Sequence, residues 1–385
     1  MSGASGTRLA GRVGVVARAL ADRGADRSPP ADPRRILIAH HLLLGDTLML
    51  TALVARLRAN HPRAHLAMTV PEAVAPLYAT RPWGLAALPW SPRRVPPSLY
   101  DDEPWDLAYV PGDNRYTWLA AAMRARWIVA FDGDRSLRKN WPADRLVPYP
   151  GEPASWGDMV AGLAGGTAPP PYAPAQWPRG PCAPCDVPAR PYAVLHVGAS
   201  TPLKQWPSDR WQEIARRLDE RGIAPVWSCG PGERPLVDAC DPGERHRSTG
   251  GTLDLAQMRG LLDDAALLVS PDTGIAHLAR IAGTPSVTLL GPGSATLTGP
   301  GRYYAAMPWR AATVDPYPCR DQRVLFRREI PWVRRCGRST AECARPRCME
   351  AIGVDAVAAA IDRVLALPDP RPRPATPPAP TESRR

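Results

Sequence analysis

The sequence predicts an α/β protein in which two doubly wound parallel-sheet domains face each other across a cleft. Strand-type apolar runs alternate with helical segments along most of the chain, a pattern typical of parallel sheets covered by helices. A proline-rich segment at 165–191 interrupts the alternation, and each half begins with a buried-type strand, a polar loop and a helix. The 385 residues suffice for two complete cores.

The first half opens with a strand at 35–39, which is apolar after its first residue. A loop through Gly45 and Asp46 leads into a helix with apolar residues at helical spacing, and a second strand follows at 65–70. Strand, helix and strand in this order predict a crossover within one parallel sheet.

The second half repeats this arrangement, with a strand at 192–197 and a loop at 198–206. A helix from about 209 to 221 is predicted to end at Gly222, because glycine readily adopts the left-handed conformation that terminates helices. The next strand is expected at 223–228.

The most informative stretch is 265–291, which is typical of a strand, a polar turn, a short helix and a second strand. Asp272 is predicted to cap the helix, with Thr273 and Gly274 at its opening. Unpaired amides there, at the carboxyl edge of a parallel sheet, would form an anion site. His277 lies four residues after Thr273 and faces the same way. A phosphate-bearing ligand is one interpretation, and an ordinary cap with a core histidine is the other.

The charge of the chain favours anionic partners. The formal net charge is +11 and the pI about 9.6, which suits a nucleotide, a phosphorylated glycolipid or a membrane surface. Nucleic acid is not expected, because the arginines are scattered rather than interleaved with aromatic residues in one basic run. No apolar run reaches the roughly 18–20 residues that span a bilayer, and no signal peptide is recognisable. The prediction is a cytoplasmic protein, with a peripheral position on the inner face of the inner membrane as an alternative.

Asp46 is the first candidate for chemistry. A carboxylate at the carboxyl end of a strand, beside a glycine that permits close backbone approach, can act as a general base if it faces the cleft. The alternative is that Asp46 only caps its helix.

The loops of the second half supply candidate anion ligands. Ser200, Thr201 and Lys204 could hold a diphosphate, since an ammonium group counters the charge that builds on a departing phosphate. Glu233, which follows the strand at 223–228, is placed where acidic residues accept ribose hydroxyls in nucleotide-binding sheets. The alternatives are a solvated lysine and a surface turn.

Together these pieces resemble glycosyltransferase family 9, the heptosyltransferases of bacterial lipopolysaccharide synthesis. The matching residues are the strand at 36–39 with Gly45 and Asp46, the block from His196 to Pro207 with Lys204 and Trp206, Gly230-Pro-Gly-Glu233, the block from Ser270 to Ala279, and Gly291-Pro292. The resemblance covers roughly 35–366, and its order and spacing are more specific than any one block.

The resemblance implies a GT-B fold, with two Rossmann-like domains, and an inverting, metal-independent transfer of a heptose from ADP-heptose to a sugar hydroxyl. By that likeness Asp46 is the base. The donor side comprises Ser200, Thr201 and Lys204 with the amides of Thr273 and Gly274 at the diphosphate, Glu233 at the ribose, Leu253 against the adenine, Asp272 at the donor sugar and His277 at the leaving group or the helix entrance.

Composition and the resemblance together divide the chain into six predicted segments. They are an N-terminal arm at 1–34, poorly ordered or an amphipathic helix, an acceptor domain at 35–164, the linker at 165–191, a nucleotide-sugar domain at 192–352, a C-terminal helix at 353–367 and a disordered tail at 368–385.

Two departures from the family pattern bear on the substrates. The loop before Gly45 contains His40 and His41 where the family often has arginine and serine, so the acceptor is left open. Residues after Pro292 also differ, which leaves the contacts to the donor sugar open. A region with Asp113, Arg115, Arg138 and Lys139 is expected to face the acceptor.

A cysteine-rich segment at 319–348 contains Cys319, Cys336, Cys343 and Cys348. Four grouped thiolates could bind structural zinc or iron, although their spacing is not that of a standard zinc ribbon. The alternative is four small core residues in a basic loop. No cofactor is expected to be required for catalysis.

The sequence therefore predicts a heptosyltransferase that uses ADP-heptose or a related nucleotide sugar and modifies a lipopolysaccharide core or another surface glycan. The alternatives are the same fold acting on another nucleotide sugar or a protein acceptor, and a non-catalytic nucleotide-binding scaffold.

Overall fold

The structure, a computed structural model, describes residues 13–21, 27–93, 95–100 and 103–371. The expectations for the rest of the N-terminal arm and for the tail beyond 371 lie outside the described residues. No helix in the described ranges is long and apolar enough to cross a bilayer.

A six-stranded parallel sheet organises the first half of the chain. Its strands are β1 (Arg35–Ile38), β2 (His65–Pro71), β3 (Ala86–Trp90), β4 (Trp105–Val110), β5 (Ala125–Phe131) and β6 (Arg145–Val147). They lie in the order β3-β2-β1-β4-β5-β6, so the order reverses between β1 and β4.

A second parallel sheet of six strands repeats this order. Its strands are β7 (Tyr192–His196), β8 (Ala224–Ser228), β9 (Arg247–Ser248), β10 (Leu267–Pro271), β11 (Ser286–Leu289) and β12 (Trp309–Ala312). The order β12-β11-β10-β7-β8-β9 reverses between β7 and β10. Both sheets thus have the Rossmann order, and ligands of such sheets bind where the order reverses. The predicted fold class is confirmed.

Helices cover both faces of each sheet. They are α1 (13–21), α2 (Leu44–Met49), α3 (Thr51–Asn60), α4 (Thr117–Ala122), α5 (Leu137–Asn140), α6 (Trp156–Gly162), α7 (Ser208–Glu220), α8 (Arg234–Cys240), α9 (Leu255–Asp264), α10 (Gly274–Ala282), α11 (Ala295–Thr298), α12 (Arg347–Glu350) and α13 (Val354–Leu365). One apolar core between the sheets includes residues of α3 and α6 from the first domain and of α9 and α10 from the second. Each sheet has a further core on its other face.

Helix α1 packs against the first domain. Its Ala19 is fully buried with Val15 beside it, and Arg18 Nε donates to the carbonyl of Ala122 at 3.2 Å. Val13 and Leu20, by contrast, expose 60% and 55% of their surface.

The proline-rich connection is anchored to both domains. Trp177 is buried and its Nε1 donates to the carbonyl of Leu77 at 3.0 Å in the first domain. The hydroxyl of Tyr172, also buried, donates to the carbonyl of Ile281 at 2.7 Å in the second. These contacts make the connection part of the shared core.

A hairpin from the second domain reaches the first. Its strands are β13 (Val324–Leu325) and β14 (Arg328–Glu329). Arg328 is 1% exposed and donates to the carbonyls of Asp132, at 2.7 Å, and Gly112, at 3.1 Å. These carbonyls follow β5 and β4, so the hairpin fills the space at their carboxyl ends.

The two domains approach most closely where α2 meets α10. A Cβ atom added to Gly274 would lie 2.7 Å from Cδ2 and 2.8 Å from Cβ of Leu44, and one added to Gly45 would lie 2.8 Å from Cδ2 of His277. Only residues without a side chain permit this crossing at the N-terminal ends of the two helices.

Both helix starts differ by a few residues from the predictions. Helix α2 begins at Leu44, so Gly45 and Asp46 lie in its first turn rather than in a loop, and Asp46 is not its cap. The cap of α10 is Thr273 rather than Asp272. The reason is that the carboxylate of Asp272 turns to Lys204 instead of to the helix amides.

Replacing Gly274 by alanine is expected to lower the free energy of unfolding by about 1–3 kcal/mol, because the new methyl group would overlap Leu44 of the other domain. Urea unfolding followed by circular dichroism measures the change. The matched control is Gly162→Ala at the end of α6, where nothing lies within 4 Å of the added Cβ. Equal stability of the two variants would contradict the close crossing.

Candidate active site

The candidate residues lie at the two points where strand order reverses. Asp46 follows β1 in the first domain, Lys204 follows β7 in the second, and Asp272 follows β10. The crossing of α2 and α10 brings these three side chains into one electrostatic environment across the cleft. The sequence predicted each residue separately, and the fold gathers them.

Asp46 is a carboxylate with a raised pKa. Its pKa is raised from 3.8 to about 6, mainly by burial and then by the negative charge of Asp272. Lys204 and Arg335 oppose this shift through their positive charges. A carboxyl group with a pKa near neutrality is suited to accept a proton.

Lys204 is held by Asp272. Its Nζ donates to the backbone carbonyl of Asp272 at 2.7 Å and to Oδ2 at 3.3 Å. The lysine side chain is 24% exposed and that of the aspartate 10%. The ammonium group is therefore fixed beside the start of α10, and its remaining surface is open to an anion.

His277 is buried and neutral at the crossing. Burial lowers its pKa well below the ordinary value, and the positive charges of Arg280 and Lys204 lower it further. Arg280 Nη1 lies 3.3 Å from Nδ1 of His277. A guanidinium group can only donate, so Nδ1 accepts and the hydrogen is assigned to Nε2. The imidazole is therefore a buried histidine, one of the two alternatives that the sequence left open, and its contact with a bound ligand stays a prediction.

Arg280 lies beside His277 in the structure, although it was not among the site residues predicted from the sequence. It is 2% exposed, and it donates to the carbonyls of Thr298, at 2.8 Å, and Gly299, at 3.3 Å. Burial lowers its pKa to about 10. An arginine inside the otherwise apolar helix Gly274–Ala282 was the signal that could have identified it, because buried arginines need several acceptors.

The carboxylate of Glu233 links the loop after β7 to the loop after β8 through hydrogen bonds. Its Oε1 accepts from the amide of Ala199 at 3.0 Å and its Oε2 from the amide of Gly230 at 2.7 Å. A Cβ atom on Gly198 would collide with this carboxylate, which explains the glycine there. The carboxylate lies beside the loop of Ser200 and keeps lone pairs for further donors.

The other predicted donor-side residues are in loops of the second domain. Ser200 is exposed, whereas Thr201 caps a short turn by accepting from the amide of Leu203 at 3.4 Å. Leu253 is half-buried before α9. The hydroxyl oxygen of Thr273 is buried and makes no hydrogen bond within the described structure.

The residues expected to face the acceptor line a cavity of about 910 Å³, here called the first-domain pocket. Arg115, Arg138 and Lys139 are in its wall together with His41, which precedes Asp46 on the same segment. Asp113 is not in the wall but pairs with Arg115 at 2.6 Å and Lys139 at 2.9 Å.

The four cysteines at 319–348 are near one another. Burial raises the pKa of Cys319, and Cys336 and Cys343 raise it further, while Cys319 and Cys336 also act on Cys348. Yet no three histidine, cysteine, aspartate or glutamate side chains of the described residues form a group that could hold a metal ion. The zinc or iron site expected at these cysteines therefore stays a prediction.

Two Rossmann-ordered domains that face each other at the carboxyl edges of their sheets define the GT-B class of glycosyltransferase folds. Residues 162–323 match the model of glycosyltransferase family 9 (heptosyltransferase). The match lies in the second half of the chain, in the family that the motifs predicted.

Lipopolysaccharide heptosyltransferase 1 of Pseudomonas aeruginosa is 34% identical to this chain over 107 residues. The alignment spans 27% of this chain and 30% of that protein, so it covers less than a third of the curated relative.

Two solved structures share the fold over most of the chain. The ADP-heptose lipopolysaccharide heptosyltransferase II of Escherichia coli aligns with a TM-score of 0.65 and 19% identity, covering 86% of this chain and 98% of that chain. An iron-containing dodecameric glycosyltransferase of enterotoxigenic E. coli aligns with a TM-score of 0.54 and 19% identity, covering 86% and 76%.

Substituting Asp46 by asparagine is expected to stabilise the folded protein by about 1–2 kcal/mol at about pH 8. Because its folded pKa of about 6 exceeds the ordinary 3.8, the ionised carboxylate destabilises the folded state. This penalty is present above pH 6 and is lost as the pH falls toward 4. Urea unfolding at a series of pH values measures the difference.

The control for this substitution is Asp362→Asn, an exposed aspartate paired with Arg221 at 2.6 Å. It is expected to change stability by less than about 1 kcal/mol at any pH. A pH-independent effect of Asp46→Asn would contradict the raised pKa.

Proposed function

We propose that the protein is an inverting, metal-independent glycosyltransferase that transfers a heptose from ADP-heptose to a hydroxyl of a lipopolysaccharide core or a related surface glycan. The observation that carries the proposal is the placement of Asp46, with its pKa near 6, opposite Lys204 at the meeting point of the two sheets. The match of residues 162–323 to the model of glycosyltransferase family 9 and the ADP-heptose enzyme among the structural relatives support the choice of donor.

The donor is proposed to lie along the second domain. Lys204 and the amides of Thr273 and Gly274 bind the diphosphate, since the start of α10 and the ammonium group both offer positive charge. Ser200 and Thr201 add hydroxyl donors from the loop after β7. A diphosphate oxygen would join Asp272 as a partner of the Lys204 ammonium group.

The rest of the nucleotide sugar is assigned by position. Glu233 accepts hydrogen bonds from the ribose hydroxyls with the lone pairs that its backbone contacts leave over. Leu253 packs against the adenine, and Asp272 orients the donor sugar. His277 donates from Nε2 toward the leaving group, a role consistent with its neutral form.

The proposed chemistry is a single displacement. Asp46 takes the proton of the acceptor hydroxyl while that oxygen attacks the anomeric carbon of the donor. The bond from that carbon to the diphosphate oxygen breaks, ADP leaves with the electron pair, and the anomeric configuration inverts. Lys204 and the start of α10 stabilise the charge that develops on the leaving diphosphate. Since Asp46 must be ionised, transfer is expected to decline as the pH falls through about 6.

A position at the cytoplasmic face of the inner membrane is proposed for a lipid-linked acceptor. The net charge of +11 and the exposed Val13, Leu137 and Trp141 support contact with an anionic surface. Sedimentation with vesicles of anionic phospholipid tests this contact. Recovery of the protein in the supernatant at low salt would contradict it.

A structural zinc or iron ion at the cysteines is a separate proposal, supported by the electrostatic coupling of Cys319, Cys336 and Cys348 and by the iron-containing relative. The described arrangement of side chains does not favour it. Metal analysis of the purified protein tests whether the ion is present. No step of the proposed transfer depends on this ion.

The two alternatives predict different behaviour. A transferase with another donor, or with a protein acceptor, keeps the requirement for Asp46 but changes the nucleotide or the product. A non-catalytic scaffold binds a nucleotide and shows no turnover with any acceptor.

The test combines nucleotide binding and turnover. Asp46→Asn is expected to retain its affinity for ADP and to lose transfer by about a hundredfold or more, because the base is absent while the donor side is intact. Lys204→Met is expected to weaken ADP binding by about tenfold or more, because a charge-assisted contact is lost. Titration calorimetry measures ADP binding, and product formation from ADP-heptose measures transfer.

Controls for these variants are Asp209→Asn and Arg221→Met, both on or next to the solvent-facing side of α7. Neither should alter binding or turnover. Selective binding of UDP or GDP instead of ADP would contradict the donor assignment. Unchanged turnover in Asp46→Asn would remove its role as base.

A further inference from the structure

The imidazole ring of His277 is enclosed from two sides. A Cβ atom added to Gly45 would lie 2.8 Å from Cδ2 and 3.3 Å from Nε2 of His277, so this edge of the ring faces the first turn of α2 in the first domain. Nδ1 lies on the other edge, 3.3 Å from Nη1 of Arg280, which is one turn further along α10. Arg280 therefore contacts the side of the ring opposite to the helix that carries Asp46.

Arg280 restricts the imidazole to one tautomer. A guanidinium group has only donors and no acceptor, and Arg280 is charged at neutral pH even though burial lowers its pKa to about 10. The adjacent Nδ1 must accept, and a neutral imidazole then has its hydrogen on Nε2. Burial and the charges of Arg280 and Lys204 keep His277 neutral by lowering its pKa. The donor of the ring thus points toward the first domain.

The guanidinium group is buried against neutral partners. It donates to the carbonyls of Thr298, at 2.8 Å, and Gly299, at 3.3 Å, and it lies 5.7 Å from the ring centroids of Tyr304 and Trp309. Its Nε is buried without a hydrogen-bond partner in the part of the chain that the structure describes. Burial of a charge against neutral groups lowers stability, and such costs concentrate at functional sites.

The segment at 298–304, which binds Arg280, also contacts the first domain. The hydroxyl of Tyr304 donates to the carbonyl of Leu48 in the last turn of α2 at 3.1 Å. The carboxylate of Asp158 in α6 accepts from two backbone amides of the segment, at 2.6 and 3.1 Å. The same segment therefore holds both the partner of the imidazole and the helix of the proposed base.

We propose that Arg280 is a positioning residue of the transfer reaction, which fixes the imidazole of His277 in the Nε2–H tautomer with this donor facing the cleft. The inference rests on the proposed transferase function and does not require Arg280 to touch a substrate. A purely structural role would need only a residue that fills the space between α10 and the segment at 298–304. Selection of the tautomer needs a side chain that donates and cannot accept.

Nitrogen NMR of the full chain with labelled histidine tests the selection of the tautomer. His277→Asn identifies the signals of this residue among the seven histidines. The unmodified protein is expected to show Nδ1 as an acceptor nitrogen and Nε2 as a protonated nitrogen. In Arg280→Gln the two signals are expected to move toward each other, because an amide can donate or accept and both tautomers become populated. Arg280→Lys is expected to restore the original signals, since an ammonium group can only donate.

Steady-state transfer measures the consequence for the reaction. Arg280→Gln is expected to lower kcat about tenfold, the scale of loss when a partner that orients a functional histidine is removed. The KM for ADP-heptose should change little, because the proposed contacts to the nucleotide are intact. Arg280→Lys is expected to recover most of the lost kcat.

The matched control is Arg259→Gln in α9 of the same domain. Arg259 is 5% exposed and donates to the carboxylate of Asp263 at 2.7 Å and to the carbonyl of Trp177 at 3.0 Å. Its replacement also removes a buried guanidinium group, but at a distance from the imidazole, so the NMR signals of His277 and kcat should be unchanged.

Three results would overturn the proposal: an Nδ1–H tautomer in the unmodified protein, unchanged His277 signals in Arg280→Gln, or equal kcat values in Arg280→Gln and Arg259→Gln. The first of these is read from the unmodified protein and does not depend on the folding of any variant. If the NMR signals behave as expected but the unmodified protein transfers no heptose, the result counts against the proposed function and not against the placement of the imidazole by Arg280.

Discussion

The crossing of α2 and α10 is the constraint on which the rest of the site depends. Gly45 and Gly274 each face a side chain of the other domain at a distance that excludes a methyl group. Because both helices start at the reversal points of their sheets, this contact brings together the two edges where ligands of Rossmann-ordered domains bind. An apolar core, which includes residues of α3 and α6 from the first domain and of α9 from the second, then stabilises this contact between the domains.

The electrostatic properties of the site follow from that contact. Asp46 is half-buried at the crossing and lies near Asp272, and both its burial and that negative charge raise its pKa. Lys204 is held beside both carboxylates and prevents the accumulation of uncompensated negative charge. The same burial keeps His277 neutral. The proposed proton acceptor and the proposed anion site are therefore two sides of one interface.

Local patterns in the sequence predicted much of this molecule, and contacts between distant residues account for what they missed. The strands and α7 were predictable from apolar periodicity and from the stop at Gly222, since these signals are local. The start of α2 was misplaced because Leu43 caps it without a side-chain hydrogen bond, so the sequence offers no capping signal. Asp272 resembles a cap, but a lysine 68 residues away in the chain binds its carboxylate.

In the candidate site, too, local patterns identified some residues, whereas residues held by distant contacts were missed. The motifs indicated Asp46, Lys204 and His277, although their roles stay predictions. Arg280 and Arg328 were missed because their partners are carbonyls on other elements, which no spacing reveals. The contribution of the hairpin at Val324–Glu329 to the first domain likewise depends on tertiary structure alone.

The most direct test of the account is the pKa of the Asp46 carboxyl group, measured by carbon NMR on protein with labelled aspartate and assigned with Asp46→Asn. The expected pKa is near 6 in the unmodified protein and higher in Lys204→Met, because the compensating positive charge is removed. An ordinary aspartate value in both proteins would show that the two domains do not enclose Asp46 beside Lys204.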